Sequence, residues 1–307
     1  MEQTNKVVLF TSSCLSMPTV DFLLQSKLLV AVVFVAHENA QVQSESEQLR
    51  VQCEAFNIAF VAWNSDVQLL AQLDQWQATM AISCVTAAPL SDTIINFFHG
   101  HAYGVFLQTD ANYQWVETLY WQVRTQQDDL SITVQRLTGN GENQAQTLQQ
   151  SIAIHPFDTY QSLAMRVAST LAQTLALFFA EFKQLNWQPH SAKECVLPAL
   201  TYNDLTLSCV AHSASDFVAA ARAGNPLYGG FILTTKLGEI NVLQASFVEE
   251  KLFFEPAGTI LTISKSAGLV VQTKQGAVAL DIVSCQFGCV TGYRFASLAN
   301  ISAGMQL

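Results

Sequence analysis

Positive charge is scarce in this sequence: 14 lysines and arginines stand against 24 aspartates and glutamates in 307 residues, a formal net charge of −10. No basic cluster occurs along it. Affinity for nucleic acid comes mainly from neutralising phosphates, so a chain this poor in cations is expected to bind neither RNA nor DNA. Charge of either sign is rare, at 12% of residues, while half of the residues are hydrophobic. The polar surface must be built largely from Gln, Ser, Thr and Asn, and a disordered chain is excluded. The length allows a substantial core and favours two domains.

Long apolar runs are missing too. No window holds 18 uncharged apolar residues, and the opening MEQTNKVVLF has neither the hydrophobic length nor the small-residue cleavage pattern of a signal peptide. These absences predict a cytoplasmic protein with no membrane partner. Seven cysteines, odd in number and scattered, exclude a disulfide framework and point to reduced thiols.

The first half alternates strand and helix. Val7 to Phe10 reads as a short strand, "MPTVDFLLQS" as a helix, and Leu28 to Val35 as a continuous run of the kind buried on both faces of a parallel sheet. "SEQLRVQCEAFN" follows as a helix, Ile58 to Val61 as a strand, "DVQLLAQLDQW" as a helix, "TMAISCV" as a buried strand and Asp92 to Phe98 as a short helix. Repeated β-α units of this kind specify a doubly wound, mostly parallel α/β sheet. Further on, Ile132 to Arg136 and Ser151 to Ile154 read as strands about the turn "TGNGENQ". Thr159 to Trp187 carries Leu163, Val167, Leu171, Leu175 and Phe178 at helical spacing, a face that should pack on the sheet. A polar linker then leads to the helix "SASDFVAAARAG" and to short alternating strands with glycine turns, the signature of a small β-barrel.

Several strings resemble the methionyl-tRNA formyltransferases and the related sugar N-formyltransferases over almost the whole chain. "VVLFTSSCLSMPTVDFLL" is similar to the opening strand, loop and helix of that family. "AGNPLYGGFILTTKLGEINVLQA" is similar to its Asn-Pro segment, and "PAGTILTISKSAGLVVQTKQGAVALDIV" to its barrel signature. The resemblance implies a formyltransferase-like Rossmann-type domain over 1–187, a linker over 188–204 and an OB-like C-terminal domain over 205–307.

Members of that family transfer a formyl group from 10-formyltetrahydrofolate to an amine. They use an Asn-x-His pair at the end of a strand and an Asp in a following loop: a donor steadies the oxyanion, and a His/Asp pair manages the protons of the amine. Aligned on Tyr113 and Trp121, this sequence has Gly104 at the Asn position and Phe106 at the His position; the Asp falls on or near Glu142. The first loop carries Thr11 and Ser12, the Tyr-Gly before the proline is Cys84 and Val85, and the loop after Phe106 keeps only Tyr113 beyond Gln108. The loop that carries basic residues for tRNA reads "AHENAQVQSESEQ", and from residue 200 onward six Lys and Arg face seven Asp and Glu.

Loss at every motif around one cleft implies a catalytically inactive or repurposed homologue that binds a small ligand or a protein partner. The alternative is an N-formyltransferase for a small amine, dependent on 10-formyltetrahydrofolate, with catalytic groups drawn from Glu142, His99 or His101. The expected cleft is lined by Thr11, Ser12, Cys84, Val85, Phe106, Gln108 and Tyr113, with no metal.

Other candidates have plain readings beside the chemical ones. His99 and His101 could ligate a metal or simply sit in a solvated loop before a strand. Cys285 and Cys289 could be a redox pair or turn cysteines. Cys84 is a nucleophile only if a base or positive field activates it. Asp110 is a displaced acid or a turn-former. Trp115, Tyr120 and Trp121 form a stacking surface for a flat ligand or are core.

Overall fold

Val7–Thr11 (β1) and Leu29–Val35 (β2) are β-branched and apolar on both sides, so they sit in the middle of a sheet covered on both faces. The computed structural model describes residues 5–35, 40–107, 114–139, 145–189, 197, 199–236, 238–248 and 255–307. It divides into two compact units. One gathers Met1–Trp115, Asp129–Ala153 and Ala164–Leu197; the other gathers Val116–Asp128, Ile154–Leu163 and Pro198–Leu307.

After β1 come α1 (Met17–Gln25) and β2, then α2 (Ala40–Ala55), β3 (Ala59–Trp63), α3 (Asp66–Gln75), β4 (Met80–Cys84), α4 (Asp92–Phe97) and β5 (Ala102–Leu107). Next are α5 (Trp115–Arg124), β6 (Asp129–Arg136), β7 (Ala145–Ala153), α6 (Tyr160–Glu181) and β8 (Gln188–Pro189). The sheet runs β3-β2-β1-β4-β5-β6-β7-β8. Strands β3 to β5 are mutually parallel, and β6, β7 and β8 are added antiparallel. The chain winds outward from β1 in both directions, so a switch point lies between β1 and β4, at whose carboxyl ends open α/β sheets bind ligands.

The sequence reading differs from this sheet in instructive places. Strand β7 begins six residues before Ser151, because "AQTLQQ" carries no apolar alternation and is placed by its pairing with β6. The α6 helix stops at Glu181 rather than Trp187, and the chain turns through Phe182–Gln184. Trp187 stacks on Tyr103 with ring centroids 5.5 Å apart, and the Arg136 guanidinium lies 4.5 Å from the Trp187 ring. Gln188–Pro189, read as the start of the linker, adds a short edge strand on β7.

Leu163, Val167, Leu171, Leu175 and Phe178 on α6 are all buried, as the spacing predicts. Among the described residues the segment Tyr160–Gln184 is long and apolar enough to cross a membrane by length and composition alone; its buried stripe is the pattern of a core-facing helix.

The second unit holds α7 (Tyr202–Leu205), β9 (Thr206–Leu207), α8 (Ala214–Gly224), β10 (Phe231–Thr235), β11 (Gly238–Phe247), β12 (Ile260–Ser264), β13 (Gly268–Gln272), β14 (Ala277–Cys285), β15 (Gly288–Thr291) and α9 (Gly292–Leu298). Its sheet, β12-β13-β14-β11-β10-β9 with β15 on β14, is antiparallel except for the β9–β10 pair. A capping box between Ser213 and Asp216 starts α8, whose Phe217 meets Phe231 edge-on at 5.0 Å in the core. Arg124 of α5 pairs with Asp216 at 3.4 Å.

Two positions give measurable consequences. Gly230 has φ +80°, and a Cβ there would lie 1.9 Å from the Val242 carbonyl oxygen. Gly230→Ala is expected to cost more than about 3 kcal/mol by chemical denaturation, because backbone must move to relieve the clash. Burial pushes the Asp281 carboxyl above its ordinary 3.8, against the hydroxyl that Ser246 donates to it. The folded state thus holds this proton to higher pH than the unfolded chain, and the residue's contribution becomes more unfavourable as pH rises through the ordinary Asp range. Asp281→Asn, which has no proton to lose, should match the parent in stability near pH 3 and exceed it at pH 7 in parallel urea titrations.

Candidate functional site

The carboxyl end of β1 leads into a loop whose polar groups are all engaged by the protein itself. Ser12 is fully buried. Its N–H donates to the Val85 carbonyl at 3.0 Å, its hydroxyl donates to the Val35 carbonyl at 2.7 Å, and the same oxygen accepts from the Ala87 N–H at 2.8 Å. One serine thereby ties the ends of β1, β2 and β4 together. The Thr11 hydroxyl accepts from the Ser13 N–H and donates to the Ser13 carbonyl, both at 3.3 Å. The Ser13 hydroxyl and the Cys14 N–H donate to one oxygen of Glu45 on α2, at 2.6 and 2.7 Å.

Glu45 belongs to the acidic "SESEQ" string. The sequence marks that string as a departure from a basic loop, but nothing in its spacing reveals that the carboxylate turns back onto the β1 loop. The surplus of acid is the only signal.

At the end of β4, Cys84 is fully buried, and burial pushes its thiol up to about 12. At neutral pH it is a thiol with negligible thiolate, the wrong state for a nucleophile. Val85 follows with φ +54°, a left-handed conformation unusual for a β-branched residue. The hydrogen bond from Ser12 to its carbonyl holds it there.

β5 carries the two positions where the resemblance expects an amide and an imidazole. Gly104 and Phe106 are two residues apart on a strand and share a face. The Phe106 ring folds back along the strand over Gly104: a Cβ added at 104 would lie 2.3 Å from a ring carbon and 3.0 Å from a Leu137 methyl. The ring is buried in a cluster with Ile94, Ile95, Phe98 and Leu137. Across the ladder, Gln135 pairs with Gly104 and Thr133 with Phe106. Near the strand tip, Val85, Thr86, Val105, Phe106, Leu107, Trp115 and Leu171 line a cavity of about 20 Å³. That is room for about one water.

The remaining candidates are dispersed. His99 and His101 are exposed and precede β5, at its amino end. The strand's six residues put them about 20 Å from the carboxyl edge, at roughly 3.3 Å per residue. His101 Nδ1 lies 3.4 Å from the Tyr103 hydroxyl. Cys285 and Cys289 sit in the second unit on the β14–β15 hairpin, paired with Gly288 and Ser284 respectively, and so on opposite faces. Both are free thiols. Tyr120 is buried in the second unit, edge-on to Trp121 at 5.2 Å and to Tyr228 at 5.9 Å. Of the three aromatics, Trp115 alone is among the residues lining the small cavity. Gln108, Asp110, Tyr113 and Glu142 lie outside the described residues. Among the described residues no three His, Cys, Asp or Glu side chains are grouped to hold a metal ion.

No protein-family model matches the sequence, and comparison with curated proteins gives no match. Solved structures do match the fold. A variant of HypX from Aquifex aeolicus superposes with a TM-score of 0.60 at 10% identity, over 98% of this chain and 49% of HypX, so the chain spans about half the length of that protein. HypX has also been solved with tetrahydrofolic acid. WlaRD, a sugar 3N-formyl transferase solved in the presence of dTDP and 5-N-formyl-THF, matches with a TM-score of 0.59 at 8% identity, over 90% of this chain and 97% of that one. A sugar N-formyltransferase from Shewanella sp gives 0.55 at 12%, over 80% and 100%. The chain has the fold of the formyltransferases, and at these identities the likeness is one of fold.

Two experiments probe the geometry. With a thiol reagent at pH 8 the native protein should label the exposed Cys289 readily and leave Cys84 untouched until it unfolds, as peptide mapping would show. In a double-mutant cycle, Gly104→Asn must expel the Phe106 ring while Gly104→Asn with Phe106→Ala has no ring to expel. The double variant should therefore be more stable than the sum of the single losses by about 1 kcal/mol or more.

Proposed function

We propose that this protein keeps the formyltransferase fold without the transfer reaction, and acts as a binding protein for a small ligand or a protein partner. The observation that carries this reading is the Phe106 ring packed on Gly104. Formyl transfer needs a hydrogen-bond donor aimed at the developing oxyanion and a base for the amine proton. A ring against a bare Cα supplies neither. Cys84, a thiol held protonated by burial, does not replace them, and Ser12 and Thr11 spend their hydroxyls on backbone carbonyls of Val35 and Ser13.

The sequence resemblance to methionyl-tRNA and sugar N-formyltransferases adds to this reading, with its substitutions at the catalytic positions and an OB-like barrel as the form of the second unit. The shortage of cations argues for a partner other than nucleic acid. The scattered cysteines, odd in number, argue for a reducing, cytoplasmic setting.

The test is a titration with 5-formyltetrahydrofolate followed by an assay with 10-formyltetrahydrofolate and a panel of amines that includes nucleotide-linked amino sugars. The expected result is no formylated amine above the uncatalysed background, whether or not the folate binds. Catalytic turnover would overturn the proposal and establish a 10-formyltetrahydrofolate-dependent N-formyltransferase with a rearranged site.

A further inference from the structure

The face of the first sheet that carries Gly104 and Phe106 also carries a polar group that no packing argument explains. Thr133 stands directly across from Phe106 in the β5–β6 register. It is fully buried, and its hydroxyl has no hydrogen-bond partner among the described residues. Directly opposed residues of an antiparallel pair project from the same face with Cβ atoms about 5 Å apart, so Thr133 and Phe106 stand side by side on one face of the sheet. A buried hydroxyl without a partner is destabilising, and a valine of the same shape would avoid the loss. The sequence nonetheless places a threonine next to an aromatic core residue.

Three features therefore meet at one spot. A glycine provides a floor with no side chain, a flat ring fills the volume above it, and a stranded hydroxyl stands in the wall. Together they have the form of a ligand site occupied by the protein's own side chain: aromatic volume, a bare backbone floor and one polar contact that the present occupant does not satisfy.

We infer that Phe106 plugs a pocket for a small flat ring bearing one hydrogen-bonding group at its rim, with Gly104 as the floor and the Thr133 hydroxyl as the polar contact. This rests on the reading above, in which the strand tip is free of formyl-transfer chemistry and its pocket is open to another use. Removal of the ring leaves a ring-shaped void, and the hydroxyl then selects among rings of equal size.

Phenol and toluene are the probes, since they match in shape and carry a hydroxyl and a methyl at the same place. Calorimetric titration of Phe106→Ala should show both rings binding, and adding Thr133→Val should weaken phenol about tenfold relative to toluene, the worth of one hydrogen bond. Folded Phe106→Ala that does not bind phenol, or a phenol affinity that Thr133→Val leaves unchanged relative to toluene, would overturn the inference. Should Phe106→Ala not fold, Thr133→Val in the otherwise intact protein decides: a higher melting temperature supports a stranded hydroxyl, and a lower one contradicts it. None of these measurements uses a formyl donor. Turnover by the parent protein would defeat the proposed function alone, and loss of ring binding would defeat the plugged pocket alone.

Discussion

The contact between the Phe106 ring and the bare Cα of Gly104 governs the centre of this molecule. β5 is the strand at which the sheet changes from parallel to antiparallel pairing, so its carboxyl end lies between the β4 turn and β6. Glycine inside a strand costs roughly 0.5–1 kcal/mol against alanine. Burying a phenylalanine side chain returns about 1.5–3 kcal/mol. The exchange favours the pair, but only if both members are kept, since any side chain at 104 would enter the ring. The core gains an anchor, and the ring covers the strand at position 104.

The neighbouring loops show the same inward turn. Ser12 spends its N–H and hydroxyl on β2 and β4, and Glu45 fills the donors that follow β1. The left-handed backbone at Val85 is retained because a buried serine holds its carbonyl. At the switch point, where open α/β sheets commonly offer unpaired N–H groups to a ligand, the described groups of the first loop are paired within the chain. Internal satisfaction of this kind rigidifies the crevice.

Much of the fold was legible in the sequence because its core strands and the α6 stripe obey simple periods of burial. β1, β2, β4 and the helices α3 and α4 fall within a residue or two of where hydropathy places them. What escaped was structure imposed from a distance. The glutamine-rich start of β7 is a strand only because β6 offers it partners, and Trp187 leaves the helix only because Tyr103 receives it. At the site, the sequence showed that Gly104 and Phe106 stand where an amide and an imidazole are expected. That the two depend on each other, that Glu45 returns to the first loop, and that Thr133 carries a stranded hydroxyl are facts of register and burial.

The Phe106 ring lies over Gly104, and nuclear magnetic resonance reads that contact directly. In protein labelled at glycine and phenylalanine, the Gly104 α-protons should be shifted well upfield by the Phe106 ring current and show strong Overhauser contacts to its ring protons. Gly104 α-protons at ordinary shifts, with no contact to that ring, would mean that the strand tip is open and that the case against catalysis there has lost its foundation.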